Sequence, residues 1–534
     1  MNISNKDTNS NNSNSNFDTN TNNTNNINLN KTNIDNISND SNPGTINENQ
    51  KKNSNNIINE IKIMLKNMNA ENVKNQLIKK GYAETEVETA LQQIHKKAKS
   101  IKKRNANIVL FKDFFDKIGY GFASPLLMYL LLYTINAPLI LFGIVAAAKS
   151  ILTLFSSSII QTYHQKFNVN KKFIAIFGTL FGFTFLIMAA AKRLESPIIF
   201  AIGILISSVF LVIQGDLYSD YVIKKLSKAR SNIKSKLVAY FGLIITAIAF
   251  VGAGYMLGFP NITINLGFIM FNVPGYLLEL EIVAFAFILS SYAFSFVKPE
   301  LSVMNKIIQE NKKHFLKNYF QELKINIKNF LKNKEIKVIF YGALFSGAFQ
   351  TVISTFSCIY IFETIKNTVS NPFLHVVVIF GIGIIAASIG PNIARSFSKI
   401  FGRTPLLIFG VFLLSIFPLS IYFNVNYYAL ILAHSISVIG ASIISVVQSF
   451  VLNNTLDEDK RKTYFAAITP MIAIIMPIII LALTGMIYFF GFKELFLIVG
   501  ILNVVIVTPF YFVLVIRAQQ KHKDYISAKR TNNN

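Results

Sequence analysis

The sequence is short of charge, of acid and of cysteine. Only 15% of its 534 residues are charged, where a soluble chain carries roughly 25%, so a large soluble domain is excluded as the main body. Cys358 is the single cysteine, which rules out an intrachain disulfide and a cysteine metal cluster. Enzyme signatures are missing as well. There is no phosphate loop ending in Gly-Lys-Ser/Thr, no His-Glu-x-x-His and no Gly-x-Ser-x-Gly. We therefore expect neither an enzyme nor an ATP-driven pump, and no metal or cofactor. Asp and Glu number 27 against 52 Lys and Arg, a net charge of +25. That excess does not point to nucleic acid, because the cations sit in loops between apolar runs, where membrane topology explains them. No cleavable signal peptide is visible. The first apolar run begins past residue 100, and the first membrane helix is expected to serve as the insertion signal.

Apolar runs are what the sequence has in quantity: 52% of residues are hydrophobic, with 48 Phe. Runs of 18–27 residues occupy 107–133, 137–163, 173–191, 197–222, 237–258, 276–297, 337–362, 373–394, 404–423, 426–452, 464–489 and 493–517. Each is long enough to cross a hydrocarbon layer about 30 Å thick as a helix. The fold class is thus an all-α polytopic membrane protein with twelve expected transmembrane helices. Lys and Arg orient them. Loops after even-numbered runs hold Lys166, Lys171, Lys172, Lys224, Lys225, Lys228, Arg230, Arg395, Lys399, Arg403, Lys460, Arg461 and Lys462. Loops after odd-numbered runs hold only Lys192, Arg193, Lys366 and Lys493. The bias places both termini in the cytoplasm, in the cell membrane.

The remaining segments divide by composition. Residues 1–54, rich in Asn, Ser and Thr, cannot bury a core and read as a disordered tail. Residues 55–104 read as a small helical domain, with Val73, Leu77 and Ile78 on one helix face, Val87, Ala90, Leu91 and Ile94 on the next, and Gly81 as the cap between them. Ile58, Ile61 and Leu65 suggest an earlier helix. The phrase from Leu77 through Gly81-Tyr82 to Val87 and Ala90-Leu91 resembles the ubiquitin-associated family, which implies a protein partner; a helical cap without a ligand is the alternative. Residues 298–336 alternate apolar and Lys positions at helical spacing and form a basic amphipathic linker suited to membrane lipid. The segments 105–297 and 337–517 are the two six-helix halves, and 518–534 is a basic tail.

The halves look duplicated. Gly178 and Gly410 each follow Ile-Phe, 232 residues apart; Arg230 and Lys462 share that offset, and Gln214 and Gln448 lie 234 apart. Transporters are commonly built from such repeats. Six plus six helices, a basic linker, and basic loops between the second and third helix of each half resemble the major facilitator superfamily over 105–517. Its loop signature keeps Gly402, Arg403 and Pro405, with Lys399 and Ile400 where the family has Asp-Arg. In the first run Asp116, Gly119, Gly121, Pro125 and Leu127 resemble the drug–proton antiporter branch. Gly254 and Gly258 match that branch's fifth-helix signature, with Tyr255 and Phe259 where it has Pro and Gly. Gln214-Gly215 match its fourth-helix motif, with Leu211 in the place of Arg. The resemblance implies a secondary transporter working by alternating access on a small-molecule substrate, coupled to protons, with efflux favoured.

Ionisable groups inside a bilayer are costly and are functional candidates by default. Asp116 lies about 6 Å from the middle of its helix at 1.5 Å per residue. Desolvation there suits a carboxyl to taking up and releasing a proton, or to pairing with a neighbouring cation. Lys149 is near the midpoint of the second run, too deep for its stem to reach water easily. It either pairs with Asp116 or contacts an anionic substrate. Tyr120, Lys149, Gln350 and His434 are the expected substrate cavity. Asp216 and Asp220, with Gly402 and Arg403, are the expected cytoplasmic gate. Glu279 and Glu281, at the start of the sixth run, are expected to be solvated. The rival from another class is a transporter-like receptor or scaffold acting through residues 57–104.

Overall fold

The computed structural model describes residues 57–61, 63–64, 70–163, 171–226, 233–265, 270–298, 321, 324–325, 327–328, 334–456 and 458–531. The tail 1–54, Leu65, most of the linker 298–336 and the loop 164–170 lie outside the described residues, as do the side chains of Asp220, Lys224 and Lys225.

Ahead of the membrane body, α1 (Ala70–Lys79) packs on the start of α2 (Glu84–Phe122). Gly81, at φ +94°, carries the chain between them, a conformation that costs glycine little. Ile61, Val73, Leu77 and Val87 are fully buried. Ile78, expected on the same face, is exposed; it follows Leu77 directly and so points about 100° away. Lys74 bridges to Glu84 and Glu88, and Lys80 to Glu60.

No break in the helix marks the expected boundary at residue 104. The helix α2 runs without a break from the small domain through Asp116 to Phe122. It ends where Ser124-Pro125 removes a backbone donor, and α3 (Pro125–Tyr133) continues the span. The rest of the first half is α4 (Leu139–Tyr163), α5 (Lys171–Arg193), α6 (Pro197–Leu226), α7 (Ile233–Leu257) and α8 (Gly275–Ser295). An antiparallel hairpin, β1 (Ile262–Asn265) with β2 (Met270–Val273), joins α7 to α8; its few β-branched residues are too short a signal to read in advance.

The second half comprises α9 (Lys334–Ile365), α10 (Pro372–Ala387), α11 (Gly390–Phe401), α12 (Pro405–Tyr422), α13 (Tyr427–Thr455), α14 (Glu458–Phe490), α15 (Phe492–Leu502), a π-helical turn at Asn503–Val507, and α16 (Thr508–Thr531). Arg395 and Lys399, read as loop residues, belong to α11, which is bent 45° from α10. Only Gly402, Arg403 and Thr404 remain between helices, with Gly402 at φ +81°.

Among the described residues, nine helices are long and apolar enough to cross a membrane, or ten with α10 and α11 as one bent span; Phe241–Leu257 is a shorter apolar helix. The packing repeats between halves. In the first, α2 lies on α7 and α8, α5 on α6 and α8, and α4 on α6. In the second, α9 lies on α14 and α16, α12 on α13 and α15, and α10 on α13. Across the halves α4 meets α14 and α7 meets α10, two contacts that the same exchange of halves interconverts.

Candidate functional site

The contacts between halves are rich at one end of the bundle. The Tyr133 hydroxyl donates to Glu363 Oε2 at 2.5 Å, and Glu363 also holds Lys366 at 2.5 Å. The Tyr133 ring meets Phe362 edge-on at 6.3 Å and Phe142 at 6.4 Å. Asn371 Nδ2 donates to the Tyr255 carbonyl at 3.2 Å. Gly254 and Gly258 make the close approach of α7 to α10 possible: a Cβ on Gly254 would collide with Val377, and one on Gly258 with Asn371. A wall of aromatics and close-packed backbone thus closes this end. Tyr120, Lys149 and Gln350 are each half-buried, on α2, α4 and α9.

The interior charges are arranged as follows. Asp116 is buried in an ion pair with Lys112 one turn earlier, and it accepts a hydrogen bond from Ser290 Oγ at 2.6 Å. Lys112 is fully buried, its ammonium 4.7 Å from the Tyr218 ring. Tyr218 in turn donates to Asp113 Oδ1 at 2.6 Å. The partner of Asp116 is therefore Lys112 and not Lys149, because the i, i+4 spacing on α2 puts the two groups on one face. Lys149 is half-buried, and no acceptor among the described residues reaches its ammonium group.

Tyr120 is half-buried, its ring 5.2 Å from Phe287, with the Lys117 ammonium 5.9 Å away. Gln350 is half-buried on the face of α9 that also carries Ala343, Gly347, Thr351 and Ser354. His434 lies apart from these residues. Its ring sits 4.6 Å from Phe380 and 4.5 Å from Phe417, over Gly383, within the second half. It packs α13 onto α10 and α12, and its Nδ1 finds no partner among the described residues.

Of the expected gate, Asp216 bonds to Ser157 of α4, leaving Oδ2 buried and without a partner among the described residues. Arg403 is exposed, with its guanidinium 5.3 Å from the Phe450 ring. These gate residues are not brought together. At the basic end two fastenings lie within the first half, one of them through Lys171, which the sequence reading counts only as a loop cation. Asn105 exchanges two hydrogen bonds with the Lys298 backbone, at 2.8 and 3.0 Å. Lys171 caps the C-terminus of α8 through the Ser295 and Val297 carbonyls, both at 2.6 Å, where a cation also suits the helix dipole. Glu279, expected to be solvated, is fully buried, and neither carboxyl oxygen has a partner among the described residues; α8 begins in packed protein. Among the described residues no group of three or more His, Cys, Asp or Glu could hold a metal ion.

The architecture is two helical halves whose packing repeats, in contact through α4 with α14 and α7 with α10. Solved structures with this fold include the nucleoside transporter NupG, with a TM-score of 0.58 at 15% identity, covering 77% of this chain and 98% of that one. A bacterial homologue of the iron transporter ferroportin, in an inward-facing state, gives 0.52 at 11% identity, with coverage of 77% and 98%. A POT family transporter in complex with a thioalcohol-conjugated peptide gives 0.50 at 11% identity, with coverage of 78% and 96%. No family model matches the chain, and no curated protein matches it in sequence.

Proposed function

We propose that the protein is a secondary transporter of a small molecule in the cell membrane, working by alternating access through twelve spans, with both termini cytoplasmic. The observation that supports this is the close contact between the two repeated halves at one end, through Tyr133 with Glu363 and through Gly254 and Gly258. In this reading the closed end is the outer one, and the conformation faces the cytoplasm. The substrate enters beside Tyr120, Lys149 and Gln350, and the halves rock about it.

Asp116 is the proton-coupling group in this proposal. Protonation would neutralise it and release Lys112, so the ion pair offers two states that a proton gradient can bias. Antiport with efflux follows the likeness of Asp116, Gly119, Gly121 and Pro125 to the drug–proton branch. The test is counterflow in proteoliposomes across a panel of solutes, with and without a pH gradient. We expect a gradient to accelerate flux at least tenfold in the native protein and to have no effect in Asp116→Asn. Flux indifferent to both would remove the coupling.

A further inference from the structure

We infer that Lys149 anchors an anionic group, a carboxylate or a phosphate, on the molecule that passes through the protein; this rests on the transport reading above. The first observation is where Lys149 points. On α4 the exposed positions Ile140, Ile144 and Ile151 form a lipid-facing stripe, with exposed Leu152 on its flank. At 100° per residue, Lys149 lies roughly opposite that stripe. It shares its face with Phe142, seven residues earlier, whose ring packs against Tyr129 and Tyr133 in the closed end. Lys149 is thus about 10 Å further in from that closure at 1.5 Å per residue, where its face is half-open.

The second observation is the acids. Asp116 is committed to Lys112 and Ser290, Asp113 accepts from Tyr218, and Glu363 holds Lys366 and Tyr133. Asp216 bonds Ser157, eight residues and about 12 Å along α4 from Lys149. Glu279 is buried without a partner among the described residues. No carboxylate among the described residues pairs with Lys149. An ammonium group at mid-membrane depth without a counter-ion is expensive, and such groups are kept for function.

The third observation is the opposite wall. The Cys358 thiol faces the Leu126 carbonyl and Phe362 meets Tyr133, which registers α9 against the closed end. Counting inward from there brings Ser354 to within about 2 Å of the depth of Lys149, and Gln350 one turn below. Gln350, half-buried and without a hydrogen bond to the described residues, offers an amide N–H to the same ligand. A carboxylate or phosphate would accept from both groups, and the hydrogen bond to an ammonium is the stronger, charge-assisted kind. A cationic substrate would be repelled, the more so because Lys117 also lacks a carboxylate partner among the described residues.

The test reads the sign of the field at that depth. Ser354→Cys is placed in full-length protein that also carries Cys358→Ala, reconstituted in phosphatidylcholine vesicles. It is then reacted with an anionic sulfonatoethyl and a cationic trimethylammonioethyl methanethiosulfonate. The anion-to-cation rate ratio is expected to fall about tenfold when Lys149→Gln is added, and to survive Lys149→Arg. A ratio indifferent to Lys149→Gln overturns the inference while leaving the cavity intact. Failure of both reagents to reach the thiol in every variant removes the open cavity, and with it the transport reading. A repeat with phosphatidylglycerol in the vesicles separates the sources: a ratio that collapses there identifies a lipid headgroup as the anion and overturns the solute assignment, and an unchanged ratio supports it.

Discussion

At Lys112 and Asp116 two opposite charges lie one helical turn apart inside the membrane body, and each needs the other. Removing one partner of a buried pair leaves an uncompensated charge and typically costs about 3–5 kcal/mol, whereas replacing both by apolar groups of similar size is often neutral. Lys112→Met is therefore expected to lower stability by several kcal/mol. Adding Asp116→Leu to it should restore most of the loss, less the hydrogen bond from Ser290, about 1 kcal/mol. Cys358 is buried and so serves as a thermal-unfolding reporter with a thiol-reactive dye. Equal destabilisation by the single and double variants would show that the pair is not the unit. The i, i+4 spacing makes this pair legible in the sequence, whereas membrane depth alone points to Lys149. A helix is one-dimensional on the page, and a depth argument alone does not say which side of it a residue faces.

Among the elements, α2 unites what composition divides. Hydropathy changes abruptly near residue 105, but the backbone hydrogen bonds do not, since Lys, Gln and Ala are good helix formers on either side of a bilayer boundary. The small domain is thus continuous with the helix that bears Asp116. Its own fastening is electrostatic. Lys80 first, and then the Tyr82 hydroxyl, hold the Glu60 carboxyl below its usual value of 4.5. Lys74 is pushed above the ordinary lysine value by Glu84 and Glu88, and Tyr82 upward by Glu60. For a carboxylate depressed in the folded state, the contribution to stability is complete above pH 4.5 and is lost as pH falls through the lower folded value. The Lys74 contribution behaves oppositely at high pH and is lost there in strong alkali. Hydrogen-exchange protection over residues 70–82, corrected for intrinsic rates, should weaken between about pH 5 and pH 3. In Glu60→Gln it should be lower at neutral pH and flat across that interval; the effect is small because the pair is open to solvent. Helix content, the apolar runs and the duplication could all be read in advance, being set by local pattern. The bend between α10 and α11, the β-hairpin and the burial of Glu279 could not, because each depends on what the neighbouring helices leave room for.

For the molecule as a whole, the repeat has a mechanical consequence. Exchange of the two halves interconverts the α4–α14 and α7–α10 contacts, so in the proposed alternating-access cycle these two seams would act as equivalents, one opening as the other closes. Gly254 and Gly258, read in the sequence as resembling the drug–proton branch's fifth-helix signature, sit in one of these seams, at its closed end. Their retention is explained by contact with Val377 and Asn371 rather than by flexibility. Forcing a large side chain into a packed interface costs about 1–3 kcal/mol, which moves a two-state equilibrium about five- to two-hundred-fold. Gly254→Leu should therefore push the protein out of the conformation described here. Spin labels on the exposed positions Leu194 and Tyr428 report the closed end, and labels on Phe173 and Ile400 the basic end. In the native protein the first pair should be short and the second long. In Gly254→Leu the first distance should lengthen and the second shorten together. If the closed end widens while the basic end keeps its distance, the halves do not rock as rigid units, and the glycines are local packing alone.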